Sequence, residues 1–359
     1  MRNHNKISLF FIFLFLKIWA ININNLNKYK NNGYNCCSKN FLYNQIYCLN
    51  TNNFIDNNSK TYEYCRECLK KKQSKDCKYC TSNMIFNGFI IFSPEDTLNE
   101  IIYNNKSIAR FGDGEFQIIF GKRIGFQKAN KKLSNRLKTV FQSNEEGLLI
   151  GIPDIINLEI LEGNFNDFAK NHYENWIEKN KLNLMMLIDK NKKYYSTLFT
   201  RYYIDYLEHI GIDEYIKKLK KIWDQKDVII IEGEKSRLGI GNNLFDNMKS
   251  IKRIICPSTN AFNLYDKILN AALKMDKRNL ILLALGPTAT ILAYDLYKAG
   301  YHVVDVGHID IEYEWYLKNA TTKIKIKNKY VNEVKDGGKD IKNIEDKNYY
   351  NQIIEKILQ

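Results

Sequence analysis

No stretch of this sequence sets clustered lysines and arginines beside aromatic side chains that could stack on bases, so the footprint of a nucleic-acid binder is missing. The absence matters because the chain is basic: 54 Lys and Arg against 40 Asp and Glu leave a net charge of +14. That excess follows a general bias toward Lys and Asn and forms no patch. Two nucleotide signatures are missing as well. There is no Gly-x-x-x-x-Gly-Lys-Ser/Thr loop, which excludes a Walker-type phosphate site. There is no Gly-x-Gly-x-x-Gly, which weakens the case for a dehydrogenase. No internal repeat is present either.

What is there fits an α/β protein. The 359 residues suffice for one large domain with extensions or for two domains, and a 45% hydrophobic content can bury a sizeable core. At the N-terminus Arg2, His4 and Lys6 precede the apolar run Ile7 to Leu16, the form of a signal sequence. Lys17 interrupts the run, and IWAINI extends it to Ile23. Residues 1–23 are therefore a signal sequence cleaved near Ala20 or a retained signal anchor. Retention is favoured because the small-residue cleavage pattern is poor. Residues 24–60 are Asn-rich, with no apolar period, and read as a stem. Residues 61–92 hold Cys65, Cys68, Cys77 and Cys80 in two Cys-x-x-Cys pairs. Such spacing suits zinc, whereas behind a signal sequence disulfides are the better reading. With Cys36, Cys37 and Cys48 the count before the main domain is odd, which leaves one thiol free or paired between chains. These features place the protein in the secretory pathway, in the ER or Golgi, lumenal or as a type II membrane protein. The sequons at Asn57, Asn105 and Asn319 permit glycosylation there.

From residue 93 the pattern becomes regular. Ser93-Pro94-Glu95-Asp96 is a helix start: a cap, a proline in the first turn and acids against the dipole. Lys131 to Ser143 has helical spacing at Leu133, Leu137, Val140 and Phe141. DVIIIEG, IKRIICP, NLILLALG and YHVVDVG read as buried strands. They alternate with helical stretches at NLFDNMKS, AFNLYDKILNAALKM and TATILAYDLYKAG. That rhythm predicts a Rossmann-like, mainly parallel sheet with helices on both faces. Ligands of such sheets gather at the carboxyl ends of the strands, where the polar clusters of this chain fall. Residues 336–359 form a charged tail ending in a short helix at NQIIEKILQ.

Four clusters carry chemistry. In Arg110-Phe111-Gly112-Asp113-Gly114-Glu115, two carboxylates spaced by two on an extended segment would point the same way and suit a hard divalent cation. Arg110 adds a cation for phosphate, and an ordinary Asp-Gly-Glu turn is the plainer alternative. In Glu232 to Asn242, a strand end leads through Glu234, Lys235, Ser236, Arg237, Gly241 and Asn242 toward a helix, a setting in which backbone N–H groups and cations hold a diphosphate. In Gly286-Pro287-Thr288, Thr288 can cap a helix whose free N–H groups face an anion. Asp305 falls about twenty residues on, as a ribose-binding acid would. In the fourth, His308 opens a run in which Asp310, Glu312 and Glu314 would share one face if extended, and any of them could serve as base or metal contact. Cys256 is a buried small residue by the same reading, since nothing beside it would activate a thiol.

RFGDGEF, EGEKSRLGIGNNLF, ICPSTNAF, ALGPTATILAYDL, GHIDIEYEWYL and KYVNEV, in that order between residues 93 and 335, resemble the GT-D-type glycosyltransferases. The resemblance implies a DxE metal motif on Asp113 and Glu115, with Mn²⁺ or Mg²⁺ bridging the diphosphate of a UDP-sugar. It implies transfer of a hexose, glucose favoured, to a hydroxyl of a sugar already on a glycan, with a glycan or glycoprotein as acceptor. By position alone, His308 would complete the metal shell and Asp310, or an acid near it, would take the acceptor hydroxyl's proton if the reaction is inverting, with Glu234 a second catalytic candidate. Arg110, Lys235, Ser236, Arg237, Gly241, Asn242, Asn260 and Thr288 would hold the nucleotide-sugar. Residues 1–92 and the tail lie outside the resemblance and bear on acceptor, compartment and membrane attachment. Two readings compete: an NAD-type Rossmann oxidoreductase, and a non-catalytic nucleotide- or glycan-binding protein of the secretory pathway.

Overall fold

A computed structural model describes residues 37–40, 45–48, 90–156, 163–338 and 341–358. The expected signal segment and cysteine module lie outside the described residues. Two compact units divide the chain, one of residues 89–176 and 189–359, the other of residues 1–88 and 177–188. In the second, within the segment read as a stem, β1 (Cys37–Asn40) and β2 (Gln45–Cys48) form an antiparallel hairpin with Cys37 opposite Cys48. Among the described residues no helix is long and apolar enough to cross a membrane.

The larger unit is built on one nine-stranded sheet in which every pairing is parallel. Its strands are β3 (Ile90–Phe92), β4 (Ser107–Arg110), β5 (Leu148–Ile152), β6 (Lys193–Ser196), β7 (Asp227–Gly233), β8 (Ser250–Cys256), β9 (Leu280–Ala284), β10 (His302–Asp305) and β11 (Ile353–Lys356). The order across the sheet is β11-β8-β7-β9-β10-β4-β5-β6-β3. Ile229, Ile230 and Ile231 of β7 and Ile281, Leu282 and Leu283 of β9 are fully or almost fully buried, as strands covered on both faces require. The two halves of the chain meet where β10 pairs with β4, Val304 opposite Ile108. A cleft at such a junction is where ligands bind in doubly wound sheets.

The expected helix start at Ser93 holds. In α1 (Pro94–Tyr103) the Ser93 side chain accepts from the Asp96 N–H, and in α3 (Lys131–Gln142) Asn130 caps Leu133. α5 (Ile212–Lys220) precedes β7, and α6 (Tyr265–Ala272) and α7 (Pro287–Lys298) follow β8 and β9 as the pattern predicts.

Three expectations fail for identifiable reasons. NLFDNMKS forms turns, not a helix. Gly239 and Gly241 before it have left-handed φ of +75° and +81°, and a Cβ on Gly239 would meet the Phe245 ring at 2.5 Å. The Asn242 side chain accepts from the Leu244 N–H, so a local side-chain bond replaces the helical one. The tail, read as helical to its end, is α9 (Lys347–Gln352) followed by strand β11. The open edge of β8 offers N–H and C=O partners, and β-branched Ile353 and Ile354 suit pairing there. Finally, the acids after His308 lie on α8 (Ile309–Leu317), so Asp310 and Glu314 share a face that Glu312 does not.

Candidate functional site

A cleft of about 740 Å³ opens over the carboxyl ends of the strands. Its wall runs from Pro257 to Asn260 behind β8, past Gly286 and Asp305, to Arg110 and Thr197. Arg110 ends β4 and is held from beneath: its Nε donates to the Thr197 carbonyl at 3.1 Å and hydroxyl at 3.0 Å. Its Nη1 stands 3.9 Å from the Asp305 carboxylate. Burial lowers the Arg110 pKa below the usual range, against the pull of Asp305, and pushes Asp305 up to about 6. Gly307 makes this possible. It is left-handed, φ +48°, and a Cβ there would strike Arg110 Nη1 at 2.1 Å.

Asp113 and Glu115 reach the cleft in a geometry the sequence pattern did not anticipate. They are the first and third residues of α2 (Asp113–Ile119), not members of an extended segment. Glu115 turns back to accept the Gly112 N–H at 2.7 Å, which starts the helix. Burial pushes Glu115 up to about 7, with the charges of Asp305 and Asp113 adding to the rise. Asp113 accepts from the Gly114 N–H and points outward, its Oδ2 3.5 Å from His172 Nε2. His172, on α4 (Asp167–Leu187), has no motif around it in the sequence.

Of the other expected residues, Ser236, Asn260, His308 and Asp310 line the cleft, whereas Glu234, Lys235, Arg237, Gly241, Asn242 and Thr288 do not. Arg237 is buried and donates to the carbonyls of Asn328 and Lys342, so it ties loops together and presents no cation to a phosphate. Asn242 donates to Asp310 at 2.8 Å and to Glu314 at 2.8 Å. Thr288 is fully buried, and Lys235 lends its carbonyl to the Tyr330 N–H. Both Asp310 oxygens are taken, Oδ1 by the Gly239 N–H and Asn242, Oδ2 by Lys329 at 2.7 Å. A carboxylate so engaged locks α8 to the Gly239 loop. His308 meets Asn332 through Nε2 at 2.5 Å, and a second histidine, His172, stands at Asp113. Asn260, left-handed at φ +53°, accepts the Lys128 N–H on its side chain and donates its own N–H to Phe126. It thus pins the segment that closes one side of the cleft.

A family model for the glycosyltransferase GT-D fold matches residues 108–334, which contain every strand end around this cleft from β4 to β10. The chain belongs to the GT-D glycosyltransferase family. Over 272 residues it is 38% identical to a probable glycosyl transferase Gly of Streptococcus gordonii, a match covering 75% of this chain and 39% of that protein. Over 266 residues it is 37% identical to the glycosyltransferase GlyD of Streptococcus pneumoniae serotype 4, covering 74% of this chain and 32% of that one. The chain thus corresponds to well under half the length of either. Among solved structures, a domain of unknown function 1792 described as having a distinct glycosyltransferase fold superimposes with a TM-score of 0.70 at 37% identity, over 76% of this chain and 96% of its own. A Streptococcus sanguinis glycosyltransferase of the same domain type gives 0.70 at 35% identity, over 75% and 99%. The parallel sheet and its cleft are therefore those of the GT-D fold.

Proposed function

We propose that this GT-D protein is a metal-dependent hexosyltransferase that moves a sugar, glucose favoured, from a UDP-sugar to a hydroxyl of a glycan or glycoprotein. We place its work in the secretory pathway, with membrane attachment through residues 1–23 where they are retained. The observation that carries the reading is the gathering of Asp113, Glu115, Asp305 and Arg110 at one cleft over the join of β4 and β10.

The donor set fits a hard divalent cation. Burial first, and the charges of Asp305 and Asp113 after it, raise the Glu115 pKa, a condition that a cation would relieve. Among the described residues no three His, Cys, Asp or Glu side chains form a ready metal cage. Mg²⁺ and Mn²⁺ suit such a site, since they keep waters and take phosphate oxygens beside one or two carboxylates. Asp113 and Glu115 would hold the ion, which supplies charge neutralisation for a leaving diphosphate. Arg110 presents a fixed guanidinium to the same region, and Thr197 and Asp305 prevent it from swinging away.

The test uses the full chain with UDP-glucose, UDP-galactose and UDP-N-acetylglucosamine, with Mn²⁺ or with EDTA. The expected result is slow UDP release from UDP-glucose that stops when EDTA is added. UDP neither released nor bound at any metal concentration would overturn the reading. A second prediction concerns Gly307. Gly307→Ala will drive the guanidinium of Arg110 aside and lower kcat/KM for the donor about a hundredfold, the cost of a misplacement near 1 Å. Steady-state kinetics check it, and unchanged kinetics would remove Arg110 from the site.

A further inference from the structure

Phe168 lies on the cleft wall, yet it is 69% exposed. Single exposed apolar residues are ordinary on open surface. This one stands among charges already fixed in place. Lys323 Nζ lies 5.5 Å from the centre of its ring. The same ammonium is bound to Asp205 at 2.9 Å and to Glu333 at 2.7 Å. Asp205 and Glu333 also clamp Arg201, at 2.9 and 2.5 Å, and Arg201 reaches Glu312 at 3.2 Å. The positions of Lys323 and Glu333 are thus set by a network and not by solvent. Four residues later on the same helix, His172 meets Asp113. Positions four apart share one face of a helix, with Cβ atoms about 5–6 Å apart. The exposed ring is therefore one helical turn from the histidine that meets the carboxylate assigned above to the metal.

We propose that Phe168, Lys323 and Glu333 form the acceptor subsite, in which a pyranose of the acceptor stacks its C–H face on the Phe168 ring. Its hydroxyls donate to the Glu333 carboxylate and accept from the Lys323 ammonium. An amphipathic ring wants one apolar surface and a few fixed polar groups, and this wall supplies both. The inference rests on the transferase reading. It adds where on the cleft wall the acceptor sugar sits.

The experiment measures UDP release by the full chain from UDP-glucose, alone and with p-nitrophenyl β-glucoside, β-galactoside, β-N-acetylglucosaminide or α-N-acetylgalactosaminide. The wild type is expected to be stimulated by one of these glycosides. Phe168→Ala will raise the KM for that glycoside about tenfold. It will leave release without glycoside within about twofold, because uniform acceptor binding is all that is removed. Phe168→Tyr will restore the KM. An unchanged KM in Phe168→Ala, no stimulation by any glycoside, or an equal fall in release without glycoside overturns the subsite and leaves the transferase reading standing. Absence of UDP release in the wild type overturns the transferase reading instead. In that case saturation-transfer NMR with the same glycosides decides: binding lost in Phe168→Ala keeps a pyranose site on this wall, and binding absent or unaffected removes it.

Discussion

Asp113→Asn and Glu115→Gln will each cut metal-dependent UDP release by about a thousandfold or more, while Tm stays level or rises. The two outcomes together are the diagnostic. Asparagine and glutamine keep the shape of the acids and remove their charge. In Glu115→Gln the side-chain oxygen still accepts the Gly112 N–H, so the start of α2 survives. What disappears is a carboxylate buried beside Asp305 and Asp113, whose ionised form the fold penalises by burial first and by those charges second. The sign is definite. An acid whose folded pKa is raised costs stability as pH climbs from its ordinary value of 4.5 to about 7, so its neutral replacement gains most above about 7. A site that holds like charges together at a cost to stability is arranged for a cation, not for the fold. UDP release against Mn²⁺ concentration and thermal unfolding at two pH values check the pair. Loss of activity accompanied by a lower Tm would make the acids structural and sink the metal assignment.

Much of this protein was legible in its sequence, and the parts that were not share a cause. The buried strands β7 to β10 are continuous apolar runs, and such runs have few other solutions. Ser93 announced its helix because a cap is a local event. The sequence also marked Arg110, Asp113 and Glu115, since a strand end with two glycines and two acids is compact enough to see. It did not mark His172, Phe168, Lys323 or Thr197. Each comes to the cleft only through packing of α4, β6 and the 323–333 segment, which lie far apart in the chain. The errors run the other way. Arg237, Asn242 and Asp310 were assigned to the site because polar residues at strand ends are often functional, yet the fold pairs Asn242 with Asp310 and ties Arg237 to the carbonyls of Asn328 and Lys342. Nothing in residue type distinguishes an arginine that holds a phosphate from one that holds two carbonyls. Glu232 belongs with these, and it leads to the largest expected change in stability.

Arg253→Met will cost about 3–5 kcal/mol of stability and lower Tm by roughly 10 °C. Arg253 is 1% exposed and Glu232 is fully buried, with Nη1 to Oε1 at 2.5 Å. The guanidinium also donates to the Leu238 carbonyl at 2.9 Å and to Gln352 at 2.7 Å, and the Tyr349 ring lies 5.1 Å away. One side chain of β8 thus joins the end of β7, the Gly239 loop and the tail that carries β11. Methionine fills similar volume and leaves Glu232 charged, buried and unpaired, which is the expensive part of the change. Burial already raises the Glu232 pKa with its partner present, so removal of Arg253 will raise it further. The deficit will therefore narrow as pH falls and Glu232 takes up a proton. Adding Glu232→Gln will recover at least half of the loss, because glutamine carries no charge and still accepts the Leu238 N–H that Glu232 accepts now at 2.7 Å. Urea unfolding of the wild type, the single variant and the double variant at two pH values reads all three expectations. A double variant less stable than Arg253→Met would mean that the pair is held by geometry and not by charge. The Gly239 loop would then owe its position to the Leu238 bonds alone.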